Sequence, residues 1–148
     1  MTPDIRVHAD DFDPVTEAAR LESGGAGGVA TFTGIVRGEN GLVALELEHY
    51  PAMSERALAG IADRAAKRWT LTALTIVHRV GRLGPGARIV FVGAASKHRA
   101  DAIEAMHFVI DWLKTDAPFW KREQFGDGRS QWVELRDTDV AAKDRWES

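Results

Sequence analysis

Two lysines flank a rigid apolar turn in the segment LKTDAPFWKRE, residues 113–123. Lys114 precedes the turn and Lys121 follows it, with Pro118 and two aromatic residues between them. Pro118 prevents a helix from continuing, so we expect the chain to turn back and bring both amines together. A partly desolvated amine has a lowered pKa and can exchange protons with a substrate. The pair is a candidate acid–base centre; the alternative is that both stems lie over aromatic rings with their charged ends in water.

Three potential cations, Lys97, His98 and Arg99, open the second of two long predicted helices. A helix N-terminus already carries partial positive charge, so cations there are electrostatically unfavourable. Free backbone N–H groups combined with Arg and His suit a phosphate or a carboxylate. The segment therefore predicts an anion site. In the alternative interpretation, Asp101 and Glu104 offset the charge and the three side chains point to water.

The charge balance argues against a general nucleic-acid binder. Lys and Arg number 19 against 22 Asp and Glu, a net charge of −3 over 148 residues, whereas such proteins usually have a basic excess or a clustered basic face. No apolar run is long enough to span a bilayer, and the first residues are too acidic for a signal peptide. We therefore expect no membrane partner and a cytoplasmic location.

The chain contains no cysteine, which excludes a disulfide, a thiolate nucleophile and a persulfide carried by this protein. The five histidines lie at positions 8, 49, 78, 98 and 107, and none are paired at the spacing of helical metal ligands. We therefore expect neither a metal site nor a cofactor. His49 and His78 fall in predicted strands, where a hydrogen-bonded structural histidine is expected.

The hydrophobic pattern predicts one α+β domain over residues 1–148, with a mostly antiparallel sheet and two long helices. The long helices are predicted over residues 51–69 and 97–115. Strands are predicted at residues 4–8, 29–38, 42–50, 74–81, 87–96, 119–125 and 130–136. The sequence GENG, residues 38–41, predicts a hairpin between the strands on either side of it. Strand alternation predicts that Lys121 shares a face with Phe119 and lies opposite Arg122.

Five segments in this order and spacing resemble the large catalytic subunit of molybdopterin synthase: TFTGIVR, LEHYPAM, VHRVGRLGPG, IVFVGAASKHR and LKTDAPFWKRE. The resemblance extends from about Val29 to Trp146. It implies an α/β-hammerhead fold, a homodimer of this chain, and a small ubiquitin-like sulfur-carrier subunit with a thiocarboxylated Gly-Gly terminus. The implied reaction transfers sulfur to cyclic pyranopterin monophosphate, a pterin phosphate, and forms the dithiolene of molybdopterin.

The same resemblance implies roles for single residues. Lys114 and Lys121 match the catalytic lysines of the family. The implied substrate-binding residues are Arg37, His98, Arg99, Arg122, Glu123 and Arg136. Arg136 matches an arginine that the dimer partner contributes. Ile35 departs from the pattern, because some relatives carry lysine at that position.

Two other functions fit the residues. A lysine Schiff-base enzyme acting on a phosphorylated carbonyl compound would also need a desolvated amine beside an anion site. Trapping with borohydride and substrate would identify it. A non-catalytic scaffold for a ubiquitin-like partner would bind that partner without turning over a pterin precursor.

Overall fold

The computed structural model describes residues 1–133 and 137–146, which fold into two four-stranded sheets with helices packed against the first. The strands are β1 (Asp4–His8), β2 (Gly28–Ile35), β3 (Leu42–Glu48), β4 (Ala73–Arg79), β5 (Gly81–Leu83), β6 (Arg88–Ser96), β7 (Trp120–Phe125) and β8 (Ser130–Trp132). The helices are α1 (Pro14–Arg20), α2 (Pro51–Arg68), α3 (Arg99–Asp116) and α4 (Asp137–Asp144).

Sheet 1 has the strand order β1-β4-β6-β2 and forms the scaffold. Its strands pair antiparallel except β1 and β4, which are parallel. The middle strands β4 and β6 are buried along nearly their whole length, which their runs of Val, Ile, Phe and Ala allow. Ile76 and Val92 pair across them with no exposed surface. The main core lies between this sheet and the two long helices.

The two long helices follow the predicted pattern closely. Helix α2 begins with Pro51 at its first position, ends with basic residues, and buries the predicted stripe that includes Leu58 and Ile61. Helix α3 begins at Arg99, two residues later than predicted, because His98 has an extended backbone and occupies the N-cap position. No helix in the described ranges is long and apolar enough to cross a membrane.

Sheet 2 has the order β5-β3-β7-β8 and is entirely antiparallel. The predicted α+β class with mostly antiparallel pairing is confirmed, but the strands divide between two sheets. The predicted hairpin at residues 38–41 is wrong, because β2 pairs with β6 whereas β3 pairs with β5 and β7. A tight turn does exist there: Asn40 and Gly41 have positive φ, and the Leu42 N–H donates to the Glu39 carbonyl. The turn leads the chain from one sheet to the other.

A buried carboxylate fastens the C-terminal helix to α3. Asp111 accepts hydrogen bonds from the indole N–H of Trp146 at 2.7 Å and from the guanidinium of Arg145 at 2.8 Å. The Trp146 ring packs edge-on against Phe108 and Trp69. These contacts hold α4 beside the C-terminal end of α3.

The Arg6–Glu17 pair joins β1 to α1 and generates a test of stability. Arg6 Nη1 donates to Glu17 Oε2 at 2.9 Å, and only 7% of the Glu17 side chain is exposed. The hydrogen bond from Arg6 lowers the pKa of Glu17 below its usual value of 4.5. The stabilisation is therefore present above the unfolded-state pKa and is lost as the pH falls through the folded-state pKa.

We expect Glu17→Gln to lower the free energy of unfolding by about 1–3 kcal/mol at neutral pH, because Arg6 loses its charged acceptor. The difference from the unmodified chain should shrink as the pH falls below 4.5. Urea unfolding across this pH range measures it. Arg20→Gln is the control: Arg20 is 61% exposed and reaches Glu17 at 3.4 Å, so its loss should cost less than about 0.5 kcal/mol. An Arg20→Gln effect as large as that of Glu17→Gln would contradict this account.

Candidate active site

A cavity of about 840 Å³ lies where the C-terminal end of α3 meets sheet 2. Its walls come from the segment after β2, from β3, from β7, and from the last turn of α3. A second cavity of about 380 Å³ adjoins it on the side of β2 and β6. The residues shared by both cavities are Ile35, Arg37, His78, Ile89, Leu113, Lys114 and Lys121. Both lysines therefore lie at the junction of the two cavities.

A three-residue reversal brings the lysines together. Lys114 is in the last turn of α3, the helix ends at Asp116, and β7 starts at Trp120. Ala117 has an extended backbone, as expected before a proline, and its carbonyl accepts the N–H of Phe119 at 2.9 Å. The chain thus leaves the helix and enters the strand within residues 117–119. The predicted convergence of Lys114 and Lys121 on one site is confirmed.

Phe119 fixes the position of this reversal because its ring contacts two histidine rings. The His78 imidazole stacks on it with centroids 4.0 Å apart and planes 13° apart, and the His49 ring lies on it at 5.8 Å. His78 belongs to β4 of sheet 1, whereas Phe119 leads into β7 of sheet 2. The stack therefore joins the two sheets beside the cavity.

His78 is a neutral ring under ordinary conditions. Only 5% of the residue is exposed, and this burial lowers the pKa of His78 to about 3. The positive charges of Lys121 and Lys114 lower it further, whereas the hydrogen bond to the Arg79 carbonyl opposes the shift. Nδ1 lies 2.8 Å from that carbonyl oxygen, so Nδ1 carries the proton and Nε2 holds the lone pair.

Strand alternation divides β7 into two faces, as predicted. Lys121, Glu123 and Phe125 line the large cavity. Arg122 points to the opposite face, where its guanidinium donates to Glu46 at 2.7 Å. This hydrogen bond lowers the pKa of Glu46.

Charges of both signs surround the large cavity. Among the described residues, the cations that line it are Arg37, Lys114, Lys121 and Arg129, and the acids are Glu39, Glu123 and Asp139. Arg37 follows β2, and its Nη1 lies 3.9 Å from Glu39 Oε1, with both side chains largely exposed. A cavity lined by two amines and by arginine side chains can bind an anionic group and exchange protons with it.

The MoaE protein family matches residues 7–116, about three quarters of the chain. The chain belongs to the MoaE family. A curated relative from Mesorhizobium japonicum, named molybdopterin synthase catalytic subunit, is 48% identical over 100% of this chain and 96% of its own length. The molybdopterin biosynthesis MoaE protein of Burkholderia ambifaria has a solved structure with a TM-score of 0.85 and 47% identity, covering 99% of both chains. The solved molybdopterin synthase of Staphylococcus aureus is 33% identical, with a TM-score of 0.79 over 86% of this chain and 95% of that one.

The MoaE cavity contains only part of the predicted set. Arg37, Lys114, Lys121 and Glu123 line it, whereas Arg122 does not. His98 and Arg99 lie at the N-terminal end of α3, about 22 Å along the helix from Lys114 at 1.5 Å per residue. Arg136 lies outside the described residues. The substrate contacts inferred from the resemblance stay predictions for all of these residues.

The structure also adds residues that sequence reasoning did not select. His78, Arg129 and Asp139 line the MoaE cavity. His78 was expected to be structural, and its hydrogen bond agrees with that, but its ring also forms cavity wall. Phe119, an aromatic residue on the same face as Lys121, is the sequence feature that could have indicated a ring such as His78 beside the lysine. Nothing local in the sequence indicates Arg129 or Asp139, because chain pairing and helix docking bring them there.

Arg122 and Lys121 are neighbours on opposite faces of β7, which makes them a matched pair. We expect Arg122→Met to lower the urea midpoint of unfolding, because Glu46 loses its closest guanidinium, and to leave substrate KM unchanged. Lys121→Met should have the reverse effect, with the midpoint retained and turnover lost. Denaturant melts combined with steady-state kinetics measure both. A raised KM with an unchanged midpoint in Arg122→Met would instead support the substrate contact inferred from the family resemblance.

Proposed function

We propose that this chain is the catalytic subunit of a molybdopterin synthase. It takes sulfur from the thiocarboxylated C-terminus of a small ubiquitin-like protein and transfers it to cyclic pyranopterin monophosphate, forming the dithiolene of molybdopterin. The observation that carries the proposal is the convergence of Lys114 and Lys121 on one cavity in a chain of the MoaE family. We also propose a cytoplasmic location, as expected from the sequence.

The sulfur comes from another molecule because this chain has no cysteine to hold it. The thiocarboxylate sulfur bonds to a substrate carbon as an oxygen leaves that carbon with a proton. Water then cleaves the new thioester, so the sulfur stays on the substrate and the partner's tail ends as a carboxylate. The same steps at the neighbouring carbon, with a second thiocarboxylated tail, supply the second sulfur of the dithiolene. The lysines attract the anionic tail and donate or remove the protons that these steps require.

A second copy of the chain completes the anion site in this proposal. His98 and Arg99 match phosphate-binding positions, yet they lie about 22 Å along α3 from Lys114 of the same chain. One small substrate cannot contact both ends of this helix. A homodimer that places α3 of one copy near the cavity of the other removes the difficulty, and Arg136 is proposed to reach across in the same way.

Mixing two inactive variants tests this arrangement. Lys121→Ala and Arg99→Ala should each be poorly active alone. Co-expressed in equal amounts, they should recover about a quarter of wild-type turnover, because half of the dimers are mixed and each mixed dimer has one intact site. If both residues served the same chain's site, the mixture would recover nothing. Arg99→Ala should also keep or slightly raise the melting temperature, because it removes a cation from a helix N-terminus.

The partner's tail is proposed to enter between the lysines. A Gly-Gly terminus has no side chains and fits a narrow space, and its terminal anion is drawn to Lys114 and Lys121. Screening limits this attraction to about 8 Å at physiological salt, so the charges act mainly near the cavity.

We expect that lengthening the partner's tail by one residue beyond Gly-Gly abolishes sulfur transfer while the two proteins still associate. The folded surfaces would still meet, but the thiocarboxylate would be displaced from the lysines. Turnover and a binding measurement on the same pair separate these effects. Equally fast product formation from free sulfide without any partner would contradict the two-protein mechanism.

Lysine variants test the chemistry in a turnover assay with thiocarboxylated partner and precursor, read out as dithiolene product. Lys121→Ala should lower turnover by about 10²-fold or more, because a proton-transfer group is lost. Lys114→Ala should also impair turnover, and both variants should stay folded. Wild-type turnover in folded Lys121→Ala would exclude the role proposed here. A borohydride-trapped adduct between the chain and its substrate would instead favour Schiff-base chemistry.

A further inference from the structure

His78 offers a hydrogen-bond acceptor at the junction of the two cavities. Its Nδ1–H donates to the Arg79 carbonyl at 2.8 Å, which leaves the lone pair on Nε2. None of the hydrogen bonds among the described residues involves Nε2. The residue lines both cavities, so this acceptor belongs to the wall of the site.

The stack with Phe119 does not by itself require a histidine. A phenylalanine could stack on Phe119 equally well, and it would bury no polar nitrogen. The Arg79 carbonyl satisfies Nδ1, whereas Nε2 is not among the fully buried unpartnered side-chain atoms of the described residues, as expected for an atom that faces cavity space. An acceptor held at this place in the wall can bind a flexible cationic side chain of the same wall.

The available donors near His78 are cationic. Lys121 and Lys114 are close enough for their charges to act on the ring, with the larger effect from Lys121. Lys121 also lies two residues after Phe119 and lines the same cavity. At the rise of an extended chain, the Cα atoms of the two residues are about 7 Å apart. The other charged groups around the described cavity are Arg37, Glu39, Glu123, Arg129 and Asp139.

We propose that His78 is a positioning residue for Lys121: Nε2 accepts a hydrogen bond from the Lys121 ammonium and aims it into the cavity, while the ring face holds Phe119. An ammonium has three donors, so this bond adds to the other contacts of Lys121. Because the ring stays neutral, it orients the ammonium without repelling it. The inference deepens the proposed function, on which its catalytic meaning rests.

Titration of the lysines by NMR tests the bond without any substrate. The isolated chain labelled with [ε-¹³C]lysine gives five lysine signals, which single Lys→Arg variants assign. A neutral acceptor favours the protonated amine, so we expect His78→Asn to lower the pKa of Lys121 by about 0.5 unit or more. Asparagine can still donate to the Arg79 carbonyl but has no group at the Nε2 position. His78→Gln, whose amide oxygen reaches that position, should keep the pKa near the wild-type value.

His49 supplies the matched control, because its ring also contacts Phe119 but the residue lines neither cavity. His49→Asn should leave the pKa of Lys121 unchanged. Since His78 is already neutral where lysines titrate, His78→Asn removes the Nε2 acceptor and the stack on Phe119 but no charge. His78→Phe keeps an aromatic stack without the acceptor and carries the same expectation, which separates the two effects and serves where His78→Asn fails to fold.

Turnover supplies the second readout. His78→Asn should lower kcat by about tenfold or more with little change in KM, and His78→Gln should recover much of the loss. The proposal is overturned if Lys121 titrates within about 0.2 unit of wild type in folded His78→Asn, or if His49→Asn shifts it equally. The NMR result does not depend on the sulfur-transfer assay, so failure of the proposed function would appear separately, as a wild-type chain without turnover.

Discussion

The reversal of the chain at residues 117–119 is the constraint on which the site depends. The chain passes from the end of α3 to the start of β7 within three residues, and Pro118 allows no further helical turn. The last turn of α3 and the first residues of β7 consequently face the same space. Stacking of Phe119 on a ring from the other sheet then fixes how far apart they lie. A second contact between the sheets is the apolar cluster around Val36, Leu42, Leu47 and Leu83, against which Ile89 of β6 packs.

Local signals in the sequence were sufficient for the helices and for the lysine pair. Pro51 and the basic residues at the end of α2 predict the bounds of that helix, and Pro118 predicts the convergence of Lys114 and Lys121. Alternation along β7 correctly separated Lys121 from Arg122. The substrate contact that the family resemblance implies for Arg122 stays a prediction, because a match by position carries no information about the face of a strand.

Contacts between distant segments could not be read in this way. The residues GENG have the composition of a hairpin, and the tight turn at Asn40 and Gly41 does form. Whether two strands pair after such a turn depends on which edges are free, and β5 and β7 occupy both edges of β3. His78 presents the same problem: a histidine in an apolar strand looks structural until Phe119, 41 positions later, is placed on its ring.

The anchoring of α4 has a practical consequence for handling the protein. The hydrogen bonds to Asp111 come from Arg145 and Trp146, close to the end of the chain, and α4 carries Asp139 at the rim of the cavity. Trimming these residues would leave a buried carboxylate without its two closest donors and would release α4 from α3. An affinity tag is therefore better fused to the N-terminus, because Met1 is exposed and β1 lies at an edge of sheet 1.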